Sequence, residues 1–198
     1  MCDASVDAAL RIDTIQYLLS SINELRQSSG AGLKQFGLDQ IKCANIAPTI
    51  PSAPAPNAGY LWQDSTIGKA GSIVLSTSTT RSVQEAERHL KHELIHAYDA
   101  ARGNLDPSDC FQQACSEIRA ARLSGDCTVS REAKSGNLSI MNSGIGCVNQ
   151  RAMLAVSNNP MCKAISDRAV EKMMPVCYQD YSPFVAPLYV EGDFHPKK

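Results

Sequence analysis

The sequence predicts an α+β domain, mostly helical with a small β-hairpin, and three observations carry that expectation. Apolar residues recur at helical spacing over several stretches, only one short region looks like paired strands, and no apolar run approaches the ~20 residues that a membrane span needs. The 198 residues suffice for one domain with a substantial core. A formal charge of -1 supplies no basic field for phosphate backbones, so no nucleic-acid partner is expected.

Taken along the chain, Val6, Leu10, Ile15, Leu18, Leu19, Ile22 and Leu25 describe one amphipathic helix from Val6 to Gln27, ended by Ser28-Ser29-Gly30. Its mixed charges favour packing on a core over lying on lipid. The N-terminus lacks the sections of a secretory signal, and Asp3, Asp7, Asp13 and Glu24 argue against an acid-poor matrix-targeting peptide. Ala47 to Gly59 is rich in proline and small residues and reads as an extended, mobile loop. Two short strands, Tyr60 to Ser65 and Gly71 to Ser78, are joined by the turn-forming TIGKAG and are expected to pair as a hairpin.

A long helix follows. Ser82 and Glu85 form an S-x-x-E capping box at its start, and Gly103 stands where a left-handed cap would end it. Its inward face is expected to be Val83, Ala86, Leu90, Leu94, Ala97 and Ala101. Asp106-Pro107 reads as the cap and first residue of another helix, which runs to Gly125. Ser135 to Gly146 is expected to be a loop, Cys147 to Val156 and Pro160 to Cys177 two further helices, and the last twenty residues an extended surface tail. The boundaries are then 1–59 for an N-terminal helix and Pro-rich loop, 60–182 for the main domain and 183–198 for the tail. Eight cysteines without a CxxC pair read either as buried thiols or as long-range disulfides.

The long helix carries the chemistry. His92 and His96 are separated by one helical turn, so both rings reach a common point about 2 Å from a nitrogen of each, where a zinc ion fits. Glu93 projects about 100° round from His92, beside such a metal, where a carboxylate takes a proton from water. A zincin-like metallopeptidase domain is the corresponding fold. A catalytic zinc needs a third protein ligand. Metzincin spacing is excluded, because Asp99 and Arg102 stand where a glycine and a histidine would be required. Asp99 lies about 10 Å along the helix from His92, too far to complete one tetrahedron. Glu117 and Asp126 remain, and Glu117 is chosen because two histidines and a helical glutamate form a known ligand set. Asp99 and Asp126 become candidates for orienting a ligating imidazole. His89 reads as solvated, His195 as incidental, and Tyr98 and Arg119 as possible oxyanion donors.

With those residues in place, the segments HELIHAYD, ACSEIRAARLSGDC (Ala114 to Cys127) and the stretch from Cys147 to Phe184 resemble the mitochondrial ATP-synthase-processing metalloproteases of the intermembrane space. The resemblance runs from about Gly71 to Phe184. It implies a Zn2+-dependent endopeptidase, with His92 and His96 as ligands and Glu93 as catalytic acid/base. Its expected substrate is the N-terminal extension of a mitochondrially encoded ATP-synthase subunit, and a second expected role is to assist assembly of the synthase membrane sector at the periphery of the inner membrane. The resemblance also implies disulfides formed on import. Ser76 and Ala101 stand where relatives carry cysteines, and Cys2, Cys110 and Cys162 look additional, so the pairing stays open among 105 possibilities. The rival expectation is an assembly chaperone or adaptor whose zinc site is structural. Substrate is expected to pair with a strand edge near Ile73 to Leu75.

Overall fold

A computed structural model describes residues 1–29, 34–47, 56–103, 105–106, 108–128 and 144–185. The chain divides into two units, Met1–Gly103 and Asn104–Lys198.

In the first unit the expected single N-terminal helix is two, α1 (Cys2–Ala9) and α2 (Asp13–Ser28), separated at Ile12, whose ψ of 133° is extended. The Gln16 side chain donates to the Leu10 carbonyl at the break, and Asp13 places a negative charge in the first turn of α2. The apolar period survives the break because both helices feed one core: Val6, Leu10, Ile15, Leu18, Leu19 and Ile22 are all buried.

Three strands follow, β1 (Ile41–Ala44), β2 (Ala58–Tyr60) and β3 (Ile73–Ser76), in the order β1-β3-β2. The expected hairpin is present as the antiparallel β2–β3 pair, with Gly59 opposite Val74, but its first strand ends at Tyr60. The chain then leaves the sheet through a turn closed by a Ser65–Gly68 bridge. β1 was not expected; it runs parallel to β3, with Cys43 opposite Leu75, and is tied to α1 by the Cys2–Cys43 disulfide. β3 is therefore central and fully buried, so the expected substrate-pairing edge at Ile73 to Leu75 does not exist. The strand edges are those of β1 and β2. Of the Pro-rich stretch, residues 48–55 lie outside the described residues, and Ala58 and Gly59 belong to β2 rather than to a loop.

α3 (Val83–Arg102) packs on α1, α2, β2 and β3. Ala86, Leu90, Leu94 and Ala97 are wholly buried as expected, whereas Val83 is exposed. Gly103 is not a left-handed cap: its φ of -147° is extended.

The second unit holds α4 (Cys110–Leu123), α5 (Ile145–Ser157) and α6 (Ser166–Cys177). α4 starts later than expected. Asp109 is its cap, accepting from the Phe111 and Gln112 amides, while Asp106 accepts from the Ser108 amide in the preceding turn; Pro107 lies outside the described residues. The expected helix from Pro160 is a turn and a 3-10 segment (Lys163–Ile165) leading into α6. Cys110, Ala114, Ile118 and Ala121 on α4 meet Val148, Ala152 and Val156 of α5 and Ala169 and Val170 of α6. So many small side chains bury little apolar area, and covalent bonds compensate: Cys110–Cys162, Cys115–Cys177 and Cys127–Cys147 join the helices. All eight cysteines are thus in disulfides.

The start of the expected tail is no tail. Arg119, fully buried, donates to the carbonyls of Asp180 and Ser182 and pairs with the Asp180 carboxylate at 2.7 Å. Arg122 lies 3.5 Å over the Tyr178 ring and 4.7 Å from that of Tyr181, and Phe184 is buried. Residues 186–198 and 129–143, the latter including 135–143 of the expected loop, lie outside the described residues.

Candidate active site

The register of α3 is set at its first turn. Ser82 Oγ accepts from the Glu85 amide at 3.2 Å, and the Glu85 carboxylate accepts from the Arg81 and Ser82 amides at 2.9 and 3.1 Å. These bonds, the Arg81 N–H foremost, hold the Glu85 carboxyl below its usual range against the opposing effect of burial. Two turns further on, the helix presents His92, half-buried, and then Glu93 and His96, both buried.

The two imidazole rings stand 5.0 Å apart between centroids, with their planes at 73°. That separation suits two nitrogens each about 2 Å from one cation, so the donor pair fits a divalent metal. Glu93 sits between them in sequence and is almost withdrawn from water, at 6 % exposure. α3 therefore brings together three of the four residues expected to carry the chemistry.

The remaining expectations sort as follows. His89 is not solvated but buried, with Nδ1 3.1 Å from Thr80 Oγ1 and Nε2 3.2 Å from an Arg88 nitrogen. A guanidinium only donates, so Nε2 accepts and Nδ1–H donates to Thr80. Nδ1 thus ties the β3–α3 connection to the helix and Nε2 is held by the preceding residue of α3, so neither nitrogen faces a metal. Asp99 is buried, with Arg102 at 3.6 Å, and the Arg102 guanidinium also lies 5.8 Å over the Tyr98 ring. In the second unit, Glu117 is half-buried in the middle of α4, between the buried Ser116 and Ile118. Asp126 is buried and faces Arg151 at 3.4 Å. The Arg119 guanidinium, considered from sequence as an oxyanion donor, fastens residues 180–182. His195 lies outside the described residues.

Trp62, which the sequence reading passed over, stands 6.3 Å from the His96 ring and packs edge-on against Tyr60 at 4.8 Å. Its being the one tryptophan of the chain, two residues past a strand, is the only signal that could have drawn attention to it.

A family model described as the Peptidase M76 family matches residues 1–185. Among curated proteins, the chain is similar to several named mitochondrial inner membrane protease ATP23. That of Lodderomyces elongisporus is 33% identical over 76% of this chain and 64% of its own length. That of Schizosaccharomyces pombe is 33% identical over 74% and 79%, and that of Candida albicans 36% identical over 57% and 48%. The chain thus spans from about half to four fifths of the length of these relatives. No solved structure matches it. No helix among the described residues is long and apolar enough to cross a membrane.

Proposed function

Since the chain belongs to the Peptidase M76 family, we propose that it is a metal-dependent endopeptidase in which His92, His96 and Glu117 hold the metal and Glu93 moves the proton. The observation that carries this reading is the pair of imidazoles 5.0 Å apart on α3 with a buried carboxylate next to the first. Two histidine nitrogens and one glutamate oxygen are a donor set that a single divalent metal ion takes. We take the ion to be Zn2+, which two imidazoles and a carboxylate would hold.

When bound, the cation supplies Lewis acidity to the scissile carbonyl and acidifies the attacking water. Glu93 accepts the proton released as water attacks, and returns it to the departing amine nitrogen. His92 and His96 are held to the reaction point by a helix whose other face is locked in the core by Leu90 and Leu94. Substrate backbone pairs on the edge of β2 rather than on β3.

We further propose, on the names of the relatives and the sequence resemblance, that the substrate is the N-terminal extension of a mitochondrially encoded ATP-synthase subunit. The protein then works in the intermembrane space at the periphery of the inner membrane, and assists assembly of the synthase membrane sector. The test is Glu93→Gln. Hydrolysis of the extension is expected to fall by about 10^2–10^4, the usual weight of a general base, with metal content unchanged. Full activity in Glu93→Gln would reject the assignment, and scoring synthase assembly in the same cells separates the two roles.

A further inference from the structure

β2 is an edge strand with a defined outward pattern. The Asn57 carbonyl accepts from the Ser76 amide at 2.8 Å and the Leu61 amide donates to Ser72 at 2.9 Å, so residues 57, 59 and 61 bond towards β3. By the alternation of antiparallel pairing, the N–H and C=O groups of Ala58 and Tyr60 point the other way. Among the described residues no strand pairs on that side.

Trp62 lies two residues beyond the end of β2, with its ring 4.8 Å from that of Tyr60 and 6.3 Å from that of His96. The residue is only half-buried, and its indole stands beside His96 of the histidine pair. Its surroundings are fastened: the Tyr60 phenol lies beside the Arg26 guanidinium, and the Asp64 carboxylate accepts from Ala70 N–H at 2.9 Å and Lys69 Nζ at 2.8 Å. The turn that follows Trp62 is therefore closed on itself, and a Cβ at Gly68 would come within 2.7 Å of Leu61 Cδ1. A rigid aromatic surface of this kind serves recognition well, because little freedom is lost when a ligand covers it.

Resting on the peptidase reading above, we infer that Trp62 is a specificity-determining residue. Its indole is a wall of the subsite beside the scissile bond, and it takes a bulky apolar side chain of a polypeptide lying extended along the outer edge of β2. Side chains of an extended chain recur on one face every two residues, about 6.8 Å apart. A substrate residue paired at Tyr60 therefore has a same-face neighbour within reach of Trp62, whose ring centre is 4.8 Å from that of Tyr60.

Because Trp62 is the only tryptophan, its emission reports on this surface alone. The experiment titrates full-length Glu93→Gln protein with two unlabelled ten-residue peptides that differ only in carrying leucine or serine at one position near the cleavage point. Emission is expected to shift to the blue and saturate at about tenfold lower concentration of the leucine peptide, the weight of a hydrophobic side chain in a pocket. In the protein with Glu93 intact, Trp62→Ala is expected to lower kcat/KM for the leucine peptide by about tenfold or more, and for the serine peptide by less than about threefold. Metal affinity by chelator competition should stay unchanged. Equal losses on both peptides together with weakened metal binding would overturn the inference, since Trp62 would then only prop the His96 ring. So would unchanged emission at peptide concentrations that saturate binding by labelled-peptide anisotropy. If Trp62→Ala fails to fold, the emission titration decides alone. Hydrolysis by Glu93→Gln would reject the peptidase mechanism and leave the emission result standing, so the two failures are distinguishable.

Discussion

Replacing Arg119 by methionine keeps most of the side-chain volume and removes the guanidinium that fastens residues 180–182. Two carbonyls lose their donor, and the Asp180 carboxylate loses a partner at 2.7 Å. Breaking a buried ion pair costs about 3–5 kcal/mol. The Arg119 side chain is fully buried but that of Asp180 is 28% exposed, so water recovers part of the loss and the lower end, about 3 kcal/mol, applies. At about 1.4 kcal/mol per factor of ten, that makes local opening roughly 150-fold more frequent. Hydrogen exchange by mass spectrometry reads it directly. The amides of Tyr178, Ser182 and Phe184, bonded to Met174, to the Asp180 side chain and to Tyr181, should exchange faster by that factor. Unchanged exchange together with a fall in kcat at constant KM would refute this reasoning and return Arg119 to the role of oxyanion donor.

Three further outcomes are expected. Ser82→Ala removes the acceptor of the Glu85 amide and should cost about 1 kcal/mol in urea unfolding. The carboxyl of Glu85 is held below its ordinary 4.5, first by the Arg81 N–H, so its contribution is fully present above pH 4.5 and is lost as pH falls through its lowered value. The stability gap between wild type and Glu85→Gln should accordingly close on acidification below 4.5, and a gap that widens there would contradict the sign. Replacing Cys115 and Cys177 together by serine opens a 62-residue loop and should cost about 4 kcal/mol of stability, measured against the intact protein under non-reducing conditions.

The residues that act on local neighbours were legible in the sequence. The i, i+4 spacing of His92 and His96 and the Ser82/Glu85 box needed no tertiary information, and both stand in the structure as read. What sequence reading missed depends on partners far along the chain. β1 is four residues long and forms only because β3, some thirty residues on, offers it a parallel edge. Residues 178–185 carry a proline and polar groups and look like a tail until Arg119 and Arg122, about sixty residues earlier, supply donors and a stacking partner. The division of the first helix was hidden because an apolar period continues unbroken when both halves face one core. Val83 and Gly103 show the limit at helix ends, where periodicity fixes neither exposure nor backbone sign.

The account stands or falls on the metal. Equilibrium titration of the metal-stripped protein with Zn2+, in wild type and in Glu117→Ala, should give one ion per chain in the first. In the second, affinity should drop by more than the about 10–100-fold that follows loss of a mere hydrogen-bonding partner of a ligand. One ion per chain bound by Glu117→Ala at unchanged affinity would contradict the proposed ligand set.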